Sequence, residues 1–156
     1  MLKFEYTEDC KFFEHLLCEA GQTLEQFSDL FDFRPPKEKR NEYTRIRQTR
    51  MDELIKLLGN HCMLRYATDC DSSGGLVLDH LIPLSSNKLN KQLRGIGTLR
   101  TGDGKLKKAL TQSFGSNGHR NLILACHNCN SLKQNGFLSA EMMRPLIKAI
   151  SYEIED

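Results

Sequence analysis

Two short runs in this chain of 156 residues hold the side chains best able to do chemistry. The first is Leu76-Val-Leu-Asp79-His80. The second is Asn121-Leu-Ile-Leu-Ala-Cys126-His-Asn-Cys129-Asn130-Ser-Leu-Lys133. An imidazole near its normal pKa can take a proton from water at neutral pH, and a carboxylate beside it can hold a divalent ion that stabilises charge on a phosphate. Two thiolates separated by two residues can grip one tetrahedral Zn2+, because the tight turn between them aims both sulfurs the same way. An Asp-His dipeptide alone is more often structural than catalytic. The inference therefore rests on the ordered set Asp79-His80, Asn121, Cys126-x2-Cys129, Asn130 and Lys133.

The pair Cys126 and Cys129 needs a second pair, and Cys62 with Cys70 is the one in the same part of the chain. Their x7 spacing is looser than a standard knuckle, but four cysteines flanking two short strands make a structural zinc site with an all-thiolate shell. Such a site contributes on the order of 10 kcal/mol to folding a motif too small for its own core. Four merely buried cysteines are the competing reading, and His61 and His127 are alternative ligands. Cys10 and Cys18 read as small buried hydrophobes on a helix.

The elements that must position these groups follow from the apolar spacing. Cys10, Phe13, Leu16, Leu17 and Ala20 recur at helical intervals from Thr7, and Gly21 ends that helix. Thr23-Leu-Glu-Gln26 fits a capping box, so a second helix is expected with Leu24, Phe27, Leu30 and Phe31 as its stripe. Arg34-Pro35-Pro36 breaks the pattern. A longer helix over residues 37–58 then carries Tyr43, Ile46, Met51, Leu54 and Leu58 on one side and six bases in its first half, and Gly59 closes it. Strands are expected at residues 76–78, delivering Asp79 and His80, and at residues 121–125, followed by a helix over residues 128–134. Residues 105–110 read as a helical turn. A terminal helix from Ser139 has Met142, Met143, Leu146, Ile147, Ile150 and Ile154 on its apolar face, with Pro145 in its first turns or at a kink.

Charge divides the chain sharply although the net charge is only +2. Residues 1–33 hold two bases against eight acids, residues 34–133 eighteen against eight, and residues 134–156 two against four. The acidic start argues against a DNA-binding helix-turn-helix there, because phosphates would repel it. The basic middle suits an anionic polymer. Within it, the long polar insertion at residues 84–120 carries Lys88, Lys91, Arg94, Arg100, Lys105, Lys107, Lys108 and Arg120, and with Lys133 these are the expected nucleic-acid contacts. A solvated loop is the bland alternative. With 39% hydrophobic and 27% charged residues the composition is that of an ordinary soluble domain, and no run approaches the roughly 18 apolar residues of a membrane span. No secretory signal is evident at the start, so a cytoplasmic, intracellular protein with reduced thiols is expected.

The order Cys62, Cys70, Leu-Val-Leu-Asp79-His80-Leu-Ile-Pro-Leu, Asn121-Leu-Ile-Leu-Ala-Cys126-x-x-Cys129-Asn130-x-x-Lys133 resembles the HNH endonuclease family, whose fold is the ββα-metal finger. The resemblance covers roughly residues 61–135. It implies His80 as the general base that activates water, and Asp79 with Asn130 as the holders of a catalytic Mg2+ or Mn2+. Asn121 would hold the loop bearing His80 in place, and the cysteines would bind zinc away from the chemistry. The expected architecture is α+β, with a helical region at residues 1–60 and a nuclease core with its C-terminal helix at residues 61–156. The expected partner is duplex DNA, with no membrane, and a homodimer stays open. Two rivals are a non-catalytic zinc-stabilised nucleic-acid-binding module and an RNA-directed nuclease of the same fold.

Overall fold

The computed structural model describes residues 3–65, 67–84, 98–100, 102–104, 106–108, 112–133 and 140–152. In chain order these form α1 (Thr7–Glu19), α2 (Pro36–Leu58), β1 (Leu76–His80), β2 (Thr98–Arg100), β3 (Leu106–Lys108), β4 (Leu122–Cys126), α3 (His127–Lys133) and α4 (Ala140–Ala149). The fold is α+β. Its central sheet is the antiparallel pair β1 and β4, in register from Leu76 opposite Cys126 to His80 opposite Leu122.

Helix α1 ends where the sequence says it should. Gly21 adopts φ +75°, its N–H reaches the Cys18 carbonyl at 3.0 Å, and the Gln22 N–H reaches Leu17 at 2.9 Å. That is the double bond of a Schellman cap, which needs a left-handed residue at this position. The cysteines of α1 differ from expectation. Cys10 is half-buried with Sγ 3.5 Å from Glu14, and Cys18 is exposed.

The capping box at Thr23 forms, yet no helix follows it. The Thr23 N–H donates to Gln26 Oε1 at 2.8 Å and the Gln26 N–H to Thr23 Oγ1 at 3.2 Å, but residues 28–30 make only a 3-10 turn. Tertiary pairing overrides the local signal. Phe31 becomes extended to form a bridge with Gly115, the Asp32 N–H donates to the Phe114 carbonyl, and Ser116 N–H to Leu30. A helix would withdraw those backbone groups.

Helix α2 begins at Pro36, whose missing N–H costs nothing in a first turn, and ends at Gly59 with φ +95°. It lies on one face of the central sheet. Leu54 is buried with Leu122 and Leu124, and Tyr43, Met51, Leu58, Leu76 and Leu78 pack around them. The other face belongs to a core made of Phe13, Leu16 and Leu17 of α1, Leu30, Phe31, Leu81, Ile82, Phe114, Ile123 and Met143, Leu146 and Ile147 of α4. Side chains from both sides of residue 60 thus share one core. Pro145 lies beyond the first turn of α4, inside the helix.

Residues 106–108 form a strand rather than the expected helical turn. They pair with β2 so that Thr98 faces Lys108 and Arg100 faces Leu106, and Gly104 at φ +78° helps reverse the chain between them. Of the expected nucleic-acid contacts, Arg100 lies on β2 and Lys107 and Lys108 on β3. Lys88, Lys91, Arg94 and Lys105 lie outside the described residues.

Lys39 is fully buried on the inner face of α2, with its ammonium 2.6 Å from the Asp32 carbonyl and 2.8 Å from that of Gly115. Burial pushes its pKa from 10.5 to about 8, against the opposing pull of Asp32. The unfolded chain therefore binds more protons between pH 8 and 10.5, and folding stability from this group rises with pH across that window. Urea melts of the wild type against Lys39→Met should show the wild type gaining, relative to the variant, about 3 kcal/mol at most between roughly pH 7.5 and 10.5. A pH-independent difference would show that the lysine keeps its ordinary basicity.

Candidate functional site

At one end of the hairpin of β1 and β4 four sulfurs converge. The Sγ atoms of Cys62, Cys70, Cys126 and Cys129 all lie within 4.8 Å of one another, and those of Cys70 and Cys126 are 3.8 Å apart. That is too long for a disulfide, whose sulfurs sit at about 2.05 Å, and matches the roughly 3.8 Å edge of a tetrahedron with metal–sulfur bonds of about 2.3 Å. The four cysteines could hold a structural metal, and their geometry is compatible with zinc. His61 and His127 are not part of this group.

The turns that bring the cysteines together are locally determined. Arg65 takes φ +53°, the one positive φ among the described non-glycine residues, and its Nε donates to the Cys62 carbonyl at 3.0 Å. The Ser72 hydroxyl accepts the Cys62 N–H at 2.8 Å, while the Asp71 carboxylate caps the turn at residues 72–74. The Asn128 amide ties α3 to the Asp69 carbonyl at 2.7 Å. In the cluster, the Cys129 N–H lowers the Cys126 thiol to about 6. Burial, with hydrogen bonds to the other three thiols, pushes Cys70 up to about 12. One sulfur is thus ready to ionise, and full ionisation of the set calls for a cation among the four.

At the other end of the hairpin, about 14 Å away by strand rise, stand Asp79 and His80. Alternation along β1 sends them to opposite faces. His80 turns toward α2, its ring centroid 4.7 Å from that of Tyr43, whose hydroxyl donates to the Leu78 carbonyl at 3.0 Å. Asp79 turns toward α3, where Lys133 Nζ lies 2.9 Å from Oδ2 and also donates to the His80 carbonyl at 2.7 Å.

His80 Nε2 is 2.8 Å from Asn117 Oδ1. The Asn117 amide nitrogen already faces two acceptors, the Lys39 carbonyl at 2.8 Å and Glu42 Oε1 at 3.1 Å. Its oxygen must therefore face the histidine, and an oxygen can only accept, so neutral His80 carries its proton on Nε2. Nδ1 then holds the lone pair. Burial lowers the His80 pKa below its usual value, with Asn117 and Asp79 opposing that shift and Lys133 and Lys39 adding to it. The ring is a free base at neutral pH.

Asn121 is fully buried and fixes the loop after His80. Its Oδ1 accepts the Ile82 N–H at 2.8 Å, and its Nδ2 donates to the carbonyls of Ile82 at 3.0 Å and Ser116 at 2.7 Å. The chain is tight here, for a Cβ at Gly115 would overlap the Ile82 carbonyl oxygen. Asn130 is half-buried on α3, one turn before Lys133 and so on the same side of that helix. Asp79 Oδ2 is buried without a hydrogen bond among the described residues, its ion contact there being Lys133.

Two of the expected nucleic-acid contacts have internal partners instead. Lys133 has no exposed side-chain surface. Arg120 grips Asp29 with two nitrogens, donates to the Gln26 carbonyl and stacks over Phe27 at 4.3 Å. Sequence reasoning missed Asn117, Glu42 and Lys39. Asn117 stands in Gly115-Ser-Asn-Gly118, which signals a turn and nothing more.

No protein-family model matches the chain, and no curated protein or solved structure is significantly similar to it.

Metal analysis of the purified protein should return about one tetrahedral ion per chain, and a strong chelator should collapse its circular dichroism melt, since such sites contribute on the order of 10 kcal/mol. A metal-free protein that melts unchanged would refute the site. Asn117→Leu should cost about 1–3 kcal/mol and, by imidazole 15N shifts, release His80 into a mixture of tautomers. An unaltered Nε2–H signature would show that another group orients the ring.

Proposed function

We propose that the chain is a metal-dependent endonuclease of the HNH type that hydrolyses DNA phosphodiester bonds. The observation that carries the reading is His80, a neutral imidazole with Nε2 held by Asn117 and the Nδ1 lone pair left to accept a proton. Support comes also from the ordering of the hairpin, with a four-cysteine cluster at one end, Asp79-His80 at the other and a helix directly after the second strand.

In this reading the cysteines hold zinc and set the register of the hairpin. Asp79 and Asn130 would hold Mg2+ or Mn2+, which when bound stabilises charge on the scissile phosphate and the leaving 3′ oxygen. His80 Nδ1 takes a proton from water as the water oxygen bonds to phosphorus. The bond to the 3′ oxygen breaks, that oxygen takes a proton from solvent, and the products are a 5′-phosphate and a 3′-hydroxyl. Asn117 fixes the tautomer, Asn121 fixes the loop that carries the base, and Lys133 anchors the strand end through the His80 carbonyl.

The contact of Lys133 with Asp79 favours a second reading, in which these groups are structural and the chain is a zinc-stabilised nucleic-acid-binding module. Supercoiled plasmid and a structured RNA, each incubated with Mg2+ or Mn2+ with and without EDTA, separate the two. Wild type should nick the plasmid in an EDTA-sensitive way, and His80→Ala should lose about a hundredfold or more in rate, in keeping with the roughly 10²–10⁴-fold typical of a general base. Equal survival of the plasmid with both proteins would sink the nuclease reading, and cleavage of RNA alone would redirect it to RNA.

A further inference from the structure

Helix α2 has two long edges with different work. Its inner edge carries Lys39, Glu42 and Tyr43, which hold Gly115, Asn117 and the His80 ring. Its outer edge is formed by Lys37, Arg40, Asn41, Thr44, Arg47 and Gln48, all exposed and none acidic. These positions recur at the three- and four-residue spacing of one helical stripe. Arg40 and Arg47 are the members of that stripe nearest the site, because they stand three residues before and four residues after Tyr43, the residue whose ring lies against His80. The Thr44 hydroxyl between them donates to the Arg40 carbonyl at 3.0 Å, which leaves a short, uncharged step between two guanidinium groups.

We propose that this outer edge of α2 is a track for the phosphodiester backbone of a nucleic acid, with Arg40 and Arg47 contacting phosphates on the strand that lies against His80. The two arginines are about 10 Å apart along the helix axis, a separation that reaches more than one phosphate of a single strand. Guanidinium forks suit phosphate oxygens, and neither Arg40 nor Arg47 makes an ion pair with a carboxylate among the described residues, whereas Arg34, Arg50 and Arg120 do. Arg47 also acts on the Tyr43 hydroxyl, whose proton burial and Asp79 hold more tightly and Arg47 loosens, so its charge reaches the site. The track rests on the nuclease reading for the identity of the polymer and gives the helical N-terminal region a direct part in binding.

The test uses the full chain carrying His80→Ala, so that no probe is cut, and follows a labelled DNA duplex and a labelled RNA by fluorescence anisotropy over a range of salt. Adding Arg40→Ala and Arg47→Ala should weaken binding about tenfold or more at low salt and reduce the slope of log affinity against log salt by about two, near 0.9 for each phosphate no longer neutralised. Lys56→Ala, exposed on the opposite side of α2 near its end, serves as the control and should leave both quantities unchanged. Equal weakening in the control would overturn the track in favour of unspecific charge, and so would a double variant that binds like its parent or a parent that binds neither probe. The DNA and RNA arms report which backbone fits. If wild type cuts plasmid while the arginine double variant cuts and binds as well as wild type, the track fails and the nuclease stands. If the double variant loses binding while wild type cuts nothing, the nuclease fails and the track stands.

Discussion

A carboxamide with no exposed surface has to find partners inside the protein, and Asn121 finds three. Because the Ile82 N–H, the Ile82 carbonyl and the Ser116 carbonyl all close on one side chain, two segments that are far apart in sequence are held as a single unit. One segment follows His80. The other contains Asn117, which orients His80. Losing Asn121 would leave three buried backbone groups wanting partners, each worth about 1–3 kcal/mol when left unmade. The Leu81 N–H on the Asn121 carbonyl adds a fourth bond to the same junction.

The N-terminal helical region is built into that junction. Lys39 binds the carbonyls of Asp32 and Gly115, Ser116 binds Asp29, and Arg120 clamps Asp29 across Phe27. These contacts explain why the capping box at Thr23 yields only a turn. Arg120 and the Gly115 bridge both demand that residues 28–32 present their backbone and carboxylate sideways, which an α-helix cannot do.

Much of the hairpin could be read in advance because its signals are local and periodic. The run Leu76–Leu78, the run ending at Ala125 and the spacing of Cys126 and Cys129 fix two strands, a knuckle and a helix with bounds off by one or two residues. The pairing of Cys62 with Cys70 followed from the need for four donors, and the sulfurs do converge. The partner of the His80 ring is not legible in the sequence. Asn117 is an ordinary turn residue in the sequence, and its meaning comes from long-range contacts with Glu42 and Lys39 that no spacing encodes. Arg120 and Lys133 read in the sequence as nucleic-acid contacts, whereas their positions beside Asp29 and Asp79 give them partners within the chain. Charge in a sequence tells what a side chain carries, and burial decides where it can point.

The two sealed lysines have an effect of their own on how the molecule responds to its medium. Lys39 and Lys133 bring positive charge close to His80 and Asp79 from beneath, in positions that mobile ions of the solvent do not reach. Dissolved salt weakens interactions between exposed charges separated by more than a Debye length of about 10 Å at 0.1 M, but it scarcely touches buried ones. The part of the field at the imidazole that comes from these two lysines is therefore set by the fold and varies little with ionic strength, whereas exposed charges such as Arg47 are open to screening. Charges that salt can screen and charges that it cannot thus stand within a single helix width of each other.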